Sequence, residues 1–234
     1  MFTGLIREVG RLRGMTPGGG VVRLDIEAPA TAGRAAVGDS IAVNGICLTV
    51  ISKSGRVFSV EAASETKRLT TLRHWRRGDR LHLEPALRAG DPLDGHLVQG
   101  HVDGIGTVKA VRKAGGSLLV TVALPRELAA NLTPKGSVAV DGVSLTVDEG
   151  PFDRSFTVNL ISHTLAVTTF GKVRTGRRVN LEMDVLVKAA RSAGGVTLPR
   201  IDPGPADEQI KQPSWTMDRL LAKGFGRRRS QRNG

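Results

Sequence analysis

The chain has no tyrosine and one cysteine, and Phe and Trp together make up only 3% of it. Its cores must therefore be built from Val, Leu, Ile and Ala, and the aromatic platforms on which proteins stack single-stranded nucleic acid are missing. The lone Cys47 excludes an intrachain disulfide. No apolar run approaches the roughly 18 residues needed to span a membrane. The start, Met1 to Glu8, reaches an acidic residue without an apolar stretch, unlike a signal or transit peptide. These absences predict a cytoplasmic protein with no membrane partner.

What is abundant is glycine, 29 residues, and positive charge, a formal +12. The glycines predict many turns and close backbone approaches. Six basic residues and no acidic one lie between Arg219 and Arg232, so half of the excess sits in a terminal stretch and +6 remains elsewhere. Neither zinc-finger spacing nor a helix-turn-helix pattern accompanies the charge, and no specific nucleic-acid partner is expected. The basic end reads as a solvated tail.

The strongest signal is an internal repeat. Ser40-Ile-Ala-Val-Asn-Gly-Ile-Cys-Leu-Thr-Val50 matches Ser137-Val-Ala-Val-Asp-Gly-Val-Ser-Leu-Thr-Val147 at seven of eleven positions. Phe58 to Thr66 answers Phe156 to Thr164, and Gly78 to Glu84 answers Gly176 to Glu182, at an almost constant offset of 97 or 98. Each copy reads as short strands separated by turns. Val21 to Glu27 alternates with period two, as a half-buried strand does, and Asn44-Gly45 and Asp141-Gly142 are hairpin turns. Five or six strands in such a unit predict a small closed barrel, because closure removes exposed edges; a sandwich is the alternative. The boundaries fall at 1–90, 95–184 and 185–234. In the last segment Asp184 caps a short helix ending near Ser192, Ile201 to Pro213 is a linker, and a second short helix starts after Ser214.

These motifs resemble riboflavin synthase of the alpha type, a family with two lumazine-binding repeats. The resemblance lies in Met1-Phe-Thr-Gly-Leu-Ile6, both repeat cores, Gly95-His-Leu-Val-Gln-Gly-His-Val-Asp-Gly104 and Trp215 to Phe225. It implies an all-β fold of two tandem homologous six-stranded closed barrels plus a C-terminal helical tail. It also implies a homotrimer, association with lumazine synthase, and two molecules of 6,7-dimethyl-8-ribityllumazine as substrates. These undergo dismutation to riboflavin and 5-amino-6-ribitylamino-2,4-pyrimidinedione without metal or redox cofactor. The alternatives are a non-catalytic lumazine- or flavin-binding protein of the same fold and a basic nucleic-acid-binding barrel.

The resemblance implies that His101, Cys47 and Ser40 carry the chemistry. An imidazole can give and take a proton near neutrality. Cys47 is a softer and more acidic group than its counterpart Ser144, which makes the two pockets unequal, as a donor and an acceptor require. Substrate would be held by Phe2, Thr3, Thr49, Glu65, Thr66, His96, Lys135, Ser144, Thr146, Ile161, Thr164 and Asp184. Residues two apart on a strand share a face, so Cys47 with Thr49, and Ser144 with Thr146, are expected to line a barrel mouth. Structural readings stand beside these: a small buried hydrophobe at Cys47, turn residues at His96 and His101, a solvated strand flank at Lys135 and a helix cap at Asp184. Three departures from the family's pattern are Ser162 in place of the usual proline, the early end of the helix after Asp184, and Ala62-Ala63-Ser64 in place of the usual Asp-Val beside Glu65.

Overall fold

A computed structural model describes residues 1–152 and 154–194; the linker, second helix and basic tail expected beyond them lie outside the described residues. The first repeat supplies strands β1 (Glu8–Gly18), β2 (Val21–Glu27), β3 (Ser40–Val43), β4 (Ile46–Ser54), β5 (Val57–Ala63) and β6 (Arg80–Pro85). The second supplies β7 (Gly104–Ala114), β8 (Ser117–Ala123), β9 (Ser137–Val140), β10 (Val143–Glu149), β11 (Ser155–Leu160) and β12 (Arg178–Met183). Each set closes into an antiparallel barrel, ordered β1-β2-β5-β4-β3-β6 and, equivalently, β7-β8-β11-β10-β9-β12. Short helices cross the gaps, among them α1 (Pro29–Arg34), α2 (Ser64–Leu69), α3 (Arg126–Ala129) and α4 (Ser162–Val167); α5 (Val185–Ser192) follows the second barrel. None of the helices among the described residues is long and apolar enough to cross a membrane.

The period-two pattern decides what fills each barrel. Along β2, Val22, Leu24 and Ile26 point inward, where they meet Phe58, Val60, Leu48 and Val50. The second interior repeats this with Val120, Val122, Phe156, Val158, Leu145 and Val147. Both interiors are packed with aliphatic groups around a buried phenylalanine, Phe58 on β5 and Phe156 on β11, with Phe170 adding to the second core, so neither barrel is a container.

β6 and β12 break the alternation, being buried on both faces. Leu81 and Leu83 face inward while His82 and Glu84 are buried outside; Val179 and Leu181 face inward while Asn180 and Glu182 are buried outside. The outer faces are covered because the barrels pack together around a local two-fold relation. The Asn44-Gly45 and Asp141-Gly142 turns meet back to back, and a Cβ on Gly45 would lie 2.7 Å from the Gly142 nitrogen. Both glycines have positive φ, a second reason why no other residue fits.

Two side chains sew this junction with matching bonds. Asn180 Nδ2 donates to the Asn44 carbonyl and its Oδ1 accepts the Thr71 amide, each at 2.8 Å. His82, its counterpart, accepts the Thr169 amide at Nε2 (2.9 Å), which fixes Nδ1 as the protonated nitrogen that donates to the Asp141 carbonyl (2.9 Å). The ring also packs edge-on against Phe170, 5.3 Å between centroids.

Burial holds the His82 pKa down at about 4, against the pull of Asp141. A histidine that is neutral when folded but protonates when unfolded costs stability as pH falls from about 6.5 to about 4, with a total loss on the order of 3 kcal/mol. Because asparagine already does the same work at position 180, H82N should fold and lose this part of its acid sensitivity. Urea unfolding of both proteins near pH 7 and near pH 4.5 measures it. Glu84 and Glu182, raised by burial, act in the opposite sense in both proteins and cancel. Equal acid sensitivity of the two proteins would be the contrary result.

Candidate functional site

The leading segment of each repeat runs to the other repeat's barrel. Phe2 and Val98 form a two-way antiparallel bridge, at 2.7 and 3.1 Å. Beyond it the Gly4 carbonyl accepts the Ser144 amide (2.8 Å) and the Gly100 carbonyl accepts the Cys47 amide (2.9 Å). Both glycines have positive φ, and a Cβ on either would lie 2.6 Å from the Cβ of the residue it faces. The positions that differ most tellingly between the repeats, Cys47 and Ser144, are therefore each met by a glycine from the opposite copy.

Two buried carboxylates hold these segments. Glu84 accepts the Thr3 amide (2.6 Å), the Thr3 hydroxyl (2.7 Å) and the Gly4 amide (2.9 Å). Glu182 accepts the Gln99 amide (2.6 Å) and the Gly100 amide (2.9 Å). Burial pushes both carboxyls upward in pKa, and these donors pull them back. Neither carboxylate was singled out from the sequence, although a glutamate closing the same strand in both copies was a visible signal.

Around the first barrel, Ser40 pairs with Thr49 across β3 and β4, and Thr49 pairs with Glu61 across β4 and β5. Cys47 is partly exposed and Thr49 exposed, while Leu48 and Val50 point into the core. Cys47 and Thr49 do share a face, but it is the outer wall of the barrel and not its mouth, because the interior is filled. His101 follows Gly100 directly and is exposed beside Cys47. Ser40 also lines an open groove of about 710 Å³ with Thr3, Asp39, Glu84, Pro85, Arg88 and Asp91 among others. Thr66 and Glu65 lie on α2, where the Glu65 carboxylate pairs with Arg68 at the surface. Phe2 is fully buried with Ala42, Val98 and Ala139, where it seals the seam between the barrels.

The second barrel repeats the pattern with different chemistry. Ser144 and Thr146 occupy the outer wall, and Ser137, which the sequence analysis does not name as a site residue, pairs with Thr146 as Ser40 does with Thr49. His96 Nδ1 lies 2.7 Å from the Ser144 hydroxyl. Its Nε2 is buried with no hydrogen-bond partner among the described residues. Burial lowers the His96 pKa, and Asp184 opposes the shift. An orphaned nitrogen of this kind is the feature a ligand's polar edge would satisfy.

Asp184 also caps α5, accepting the Leu186 amide at 2.9 Å, so the capping reading is correct for this residue. Lys135 sits at φ +58° and binds the Asp148 carboxylate at 2.8 Å. Ile161 is exposed, and Thr164 lies on α4. Ser162, in place of the family's proline, ties the start of α4 to the Gly116 carbonyl (2.8 Å), so the serine supplies an anchor of its own.

The carboxylate clamp yields a test. In E182Q one side-chain atom facing a backbone N–H becomes a donor, which should cost about 1–3 kcal/mol in urea unfolding. Loosening Gly100 uncovers the only thiol in the chain, so Cys47 should react with a disulfide reagent several-fold faster than in the parent or in the surface control E65Q. An unchanged thiol rate together with unchanged stability would contradict the clamp.

The comparisons agree with this geometry. A model of the lumazine binding domain matches residues 3–86 and again 99–184. The riboflavin synthase of Brucella abortus is 42% identical over 199 residues, covering 82% of this chain and 98% of that protein. The riboflavin synthase of Mycobacterium tuberculosis is 41% identical over 202 residues, 83% and 100% of the two chains. In structure, LumP complexed with riboflavin superposes with a TM-score of 0.72 at 25% identity, over 78% of this chain and 99% of that one. With two matched repeats and relatives aligned over nearly their whole length, the chain belongs to the riboflavin synthase family of tandem lumazine-binding proteins.

Proposed function

We propose that this chain is a riboflavin synthase, converting two molecules of 6,7-dimethyl-8-ribityllumazine to riboflavin and 5-amino-6-ribitylamino-2,4-pyrimidinedione. One molecule gives up a four-carbon unit and the other takes it, so the atoms balance between the two substrates and no outside oxidant or reductant is required. The observation that carries this reading is the pair of equivalent outer-wall surfaces, alike in backbone and unlike at Cys47 and Ser144. Two similar surfaces suit two identical molecules, and the chemical difference suits their unequal fates.

In this reading residues 1–90 and 95–184 are the two ligand-binding domains. His101 moves protons at the donor methyl or the departing nitrogen. Cys47 acts at an electrophilic ring carbon, and Ser40 hydrogen-bonds the adduct. His96 Nε2, Ser144, Thr146 and Asp184 would bind the second ligand's polar edge and ribityl chain. Holding two reactants in register removes much of the entropic barrier, yet each surface here is an open wall. Exposed Ile161 and Leu186 beside the second surface support covering by a neighbouring subunit, with the active site between one copy's first barrel and another's second in a homotrimer. A cytoplasmic location and contact with lumazine synthase belong to the same proposal.

Purified protein incubated with the lumazine alone should produce riboflavin and the pyrimidinedione in equal amounts. H101Q should slow turnover by roughly 100-fold or more, and C47S by at least roughly 10-fold, with ligand binding retained. S144C, altering the less reactive surface, should have a smaller effect than C47S. Binding without any riboflavin formation would favour the non-catalytic lumazine- or flavin-binding alternative, to which the ligand-holding LumP structures lend their likeness.

A further inference from the structure

A second groove, of about 770 Å³, opens along the seam between the barrels, away from Cys47, Ser40 and His101. Its walls are equivalent parts of the two repeats: the 3₁₀ turns Thr71–His74 and Thr169–Lys172 and the first residues of β6 and β12. Its size falls within the range of small-molecule sites.

The charges around it are unbalanced. Arg80, Lys172 and Arg178 line the groove, and Arg73, outside the lining, bonds the lining residue His74. None of these four cations has a carboxylate partner among the described residues. The two acidic groups in the lining are committed elsewhere: Asp141 binds Arg177 and the Asn180 amide, each at 2.8 Å, and Asp79 accepts the Arg76 amide at 2.8 Å. The duplication sharpens the imbalance, since Arg177 stands where the first repeat has Asp79.

His74 draws two of the cations together. Arg73 Nε and an Arg178 terminal nitrogen approach the same imidazole nitrogen, at 2.9 and 2.7 Å. That nitrogen must be the acceptor, so His74 is neutral and offers the guanidiniums no charge compensation. Their remaining N–H groups form the planar fork that suits phosphate oxygens. On the same wall, Trp75 spends its N–H on the Thr71 hydroxyl (3.1 Å). Its ring, with Leu81, Leu165 and Ala166, is left as the apolar part of the lining.

We propose that this groove binds a small phosphomonoester carrying a planar ring, with the phosphate on Arg178 and Lys172, the charge of Arg73 held close by through its bond to His74, and the ring against Trp75. Such a site is independent of the catalytic reading and uses none of its residues. It places a ligand on the seam that fixes how the barrels sit together.

Calorimetric titration of the full chain with AMP and with adenosine, at about 50 mM salt, tests the phosphate. AMP should bind at least roughly 10-fold more tightly than adenosine, and the difference should shrink as salt is raised. The double variant R73Q/R178Q should lose that advantage, and K172Q should lose a several-fold part of it. W75L should weaken AMP but not inorganic phosphate. Thermal melts check folding; if the double variant melts early, K172Q and W75L carry the test. Equal affinity for AMP and adenosine overturns the proposal, as does full AMP affinity in K172Q and R73Q/R178Q. Lumazine turnover of the variants should match the parent, which separates this outcome from failure of the catalytic reading.

Discussion

The rest of the structure depends on backbone touching backbone across the seam between the repeats. Gly45 meets Gly142, Gly4 meets Ser144 and Gly100 meets Cys47 at distances that leave no room for a Cβ. Contacts this close cannot be adjusted by choosing another rotamer, so they fix the two barrels as one object. Everything that could bind a ligand is then positioned from that seam. His101 is near Cys47 because Gly100 is hydrogen-bonded to Cys47, and His96 is near Ser144 because Gly95 is wedged between Thr3 and Ser144.

The seam also explains why charge is buried. A carboxylate removed from water is costly unless its lone pairs are satisfied. Glu84 and Glu182 meet this condition by taking backbone amides of loop segments that no sheet ladder could satisfy. The exchange works in both directions: the loops gain acceptors for N–H groups that would otherwise be orphaned, and the carboxylates gain donors. His82 and Asn180 solve the same problem with neutral groups. That two residue types make equivalent bonds shows that the fold demands a donor and an acceptor at fixed separation, not a particular residue.

Much of the fold was legible because duplication gives every motif a control. A single Asn-Gly turn is weak evidence, whereas Asn44-Gly45 and Asp141-Gly142 at a constant offset made the hairpins secure. The inward-facing residues followed from period two, and the cap at Asp184 from its chemistry. The site was only half legible. Which residues share a face could be read at Cys47 and Thr49, but not that the face is external, because period two does not say which side is the core. Burial of His82 and Glu84 was hidden for a related reason: an outer strand face looks polar whether it meets water or another barrel. The short helices and turns inside the two repeats, unlike the one after Asp184, were missed because they are held by local bonds such as Thr70 to Leu72 and Thr168 to Phe170, with too few residues to show a helical period.

The two repeats have diverged unevenly, and where they differ suggests what each surface requires. Core strand and turn positions changed conservatively, Ile for Val in the strands and Asn for Asp in the turn, since a packed barrel tolerates swaps that keep shape and hydrogen bonding. The outer surface changed in kind: Cys47 against Ser144 on the strands, Glu65 against His163 on the short helices α2 and α4, and a histidine reached through Gly100 on one side and through Gly95 on the other. A protein that needed only to bind the same molecule twice would gain nothing from that asymmetry. One that must make two identical molecules behave differently needs their surroundings to differ at the reacting atoms while the binding frame stays the same. Duplication followed by divergence in kind on the outer surface produces that combination, because the packed strands preserve the frame whatever happens on the wall.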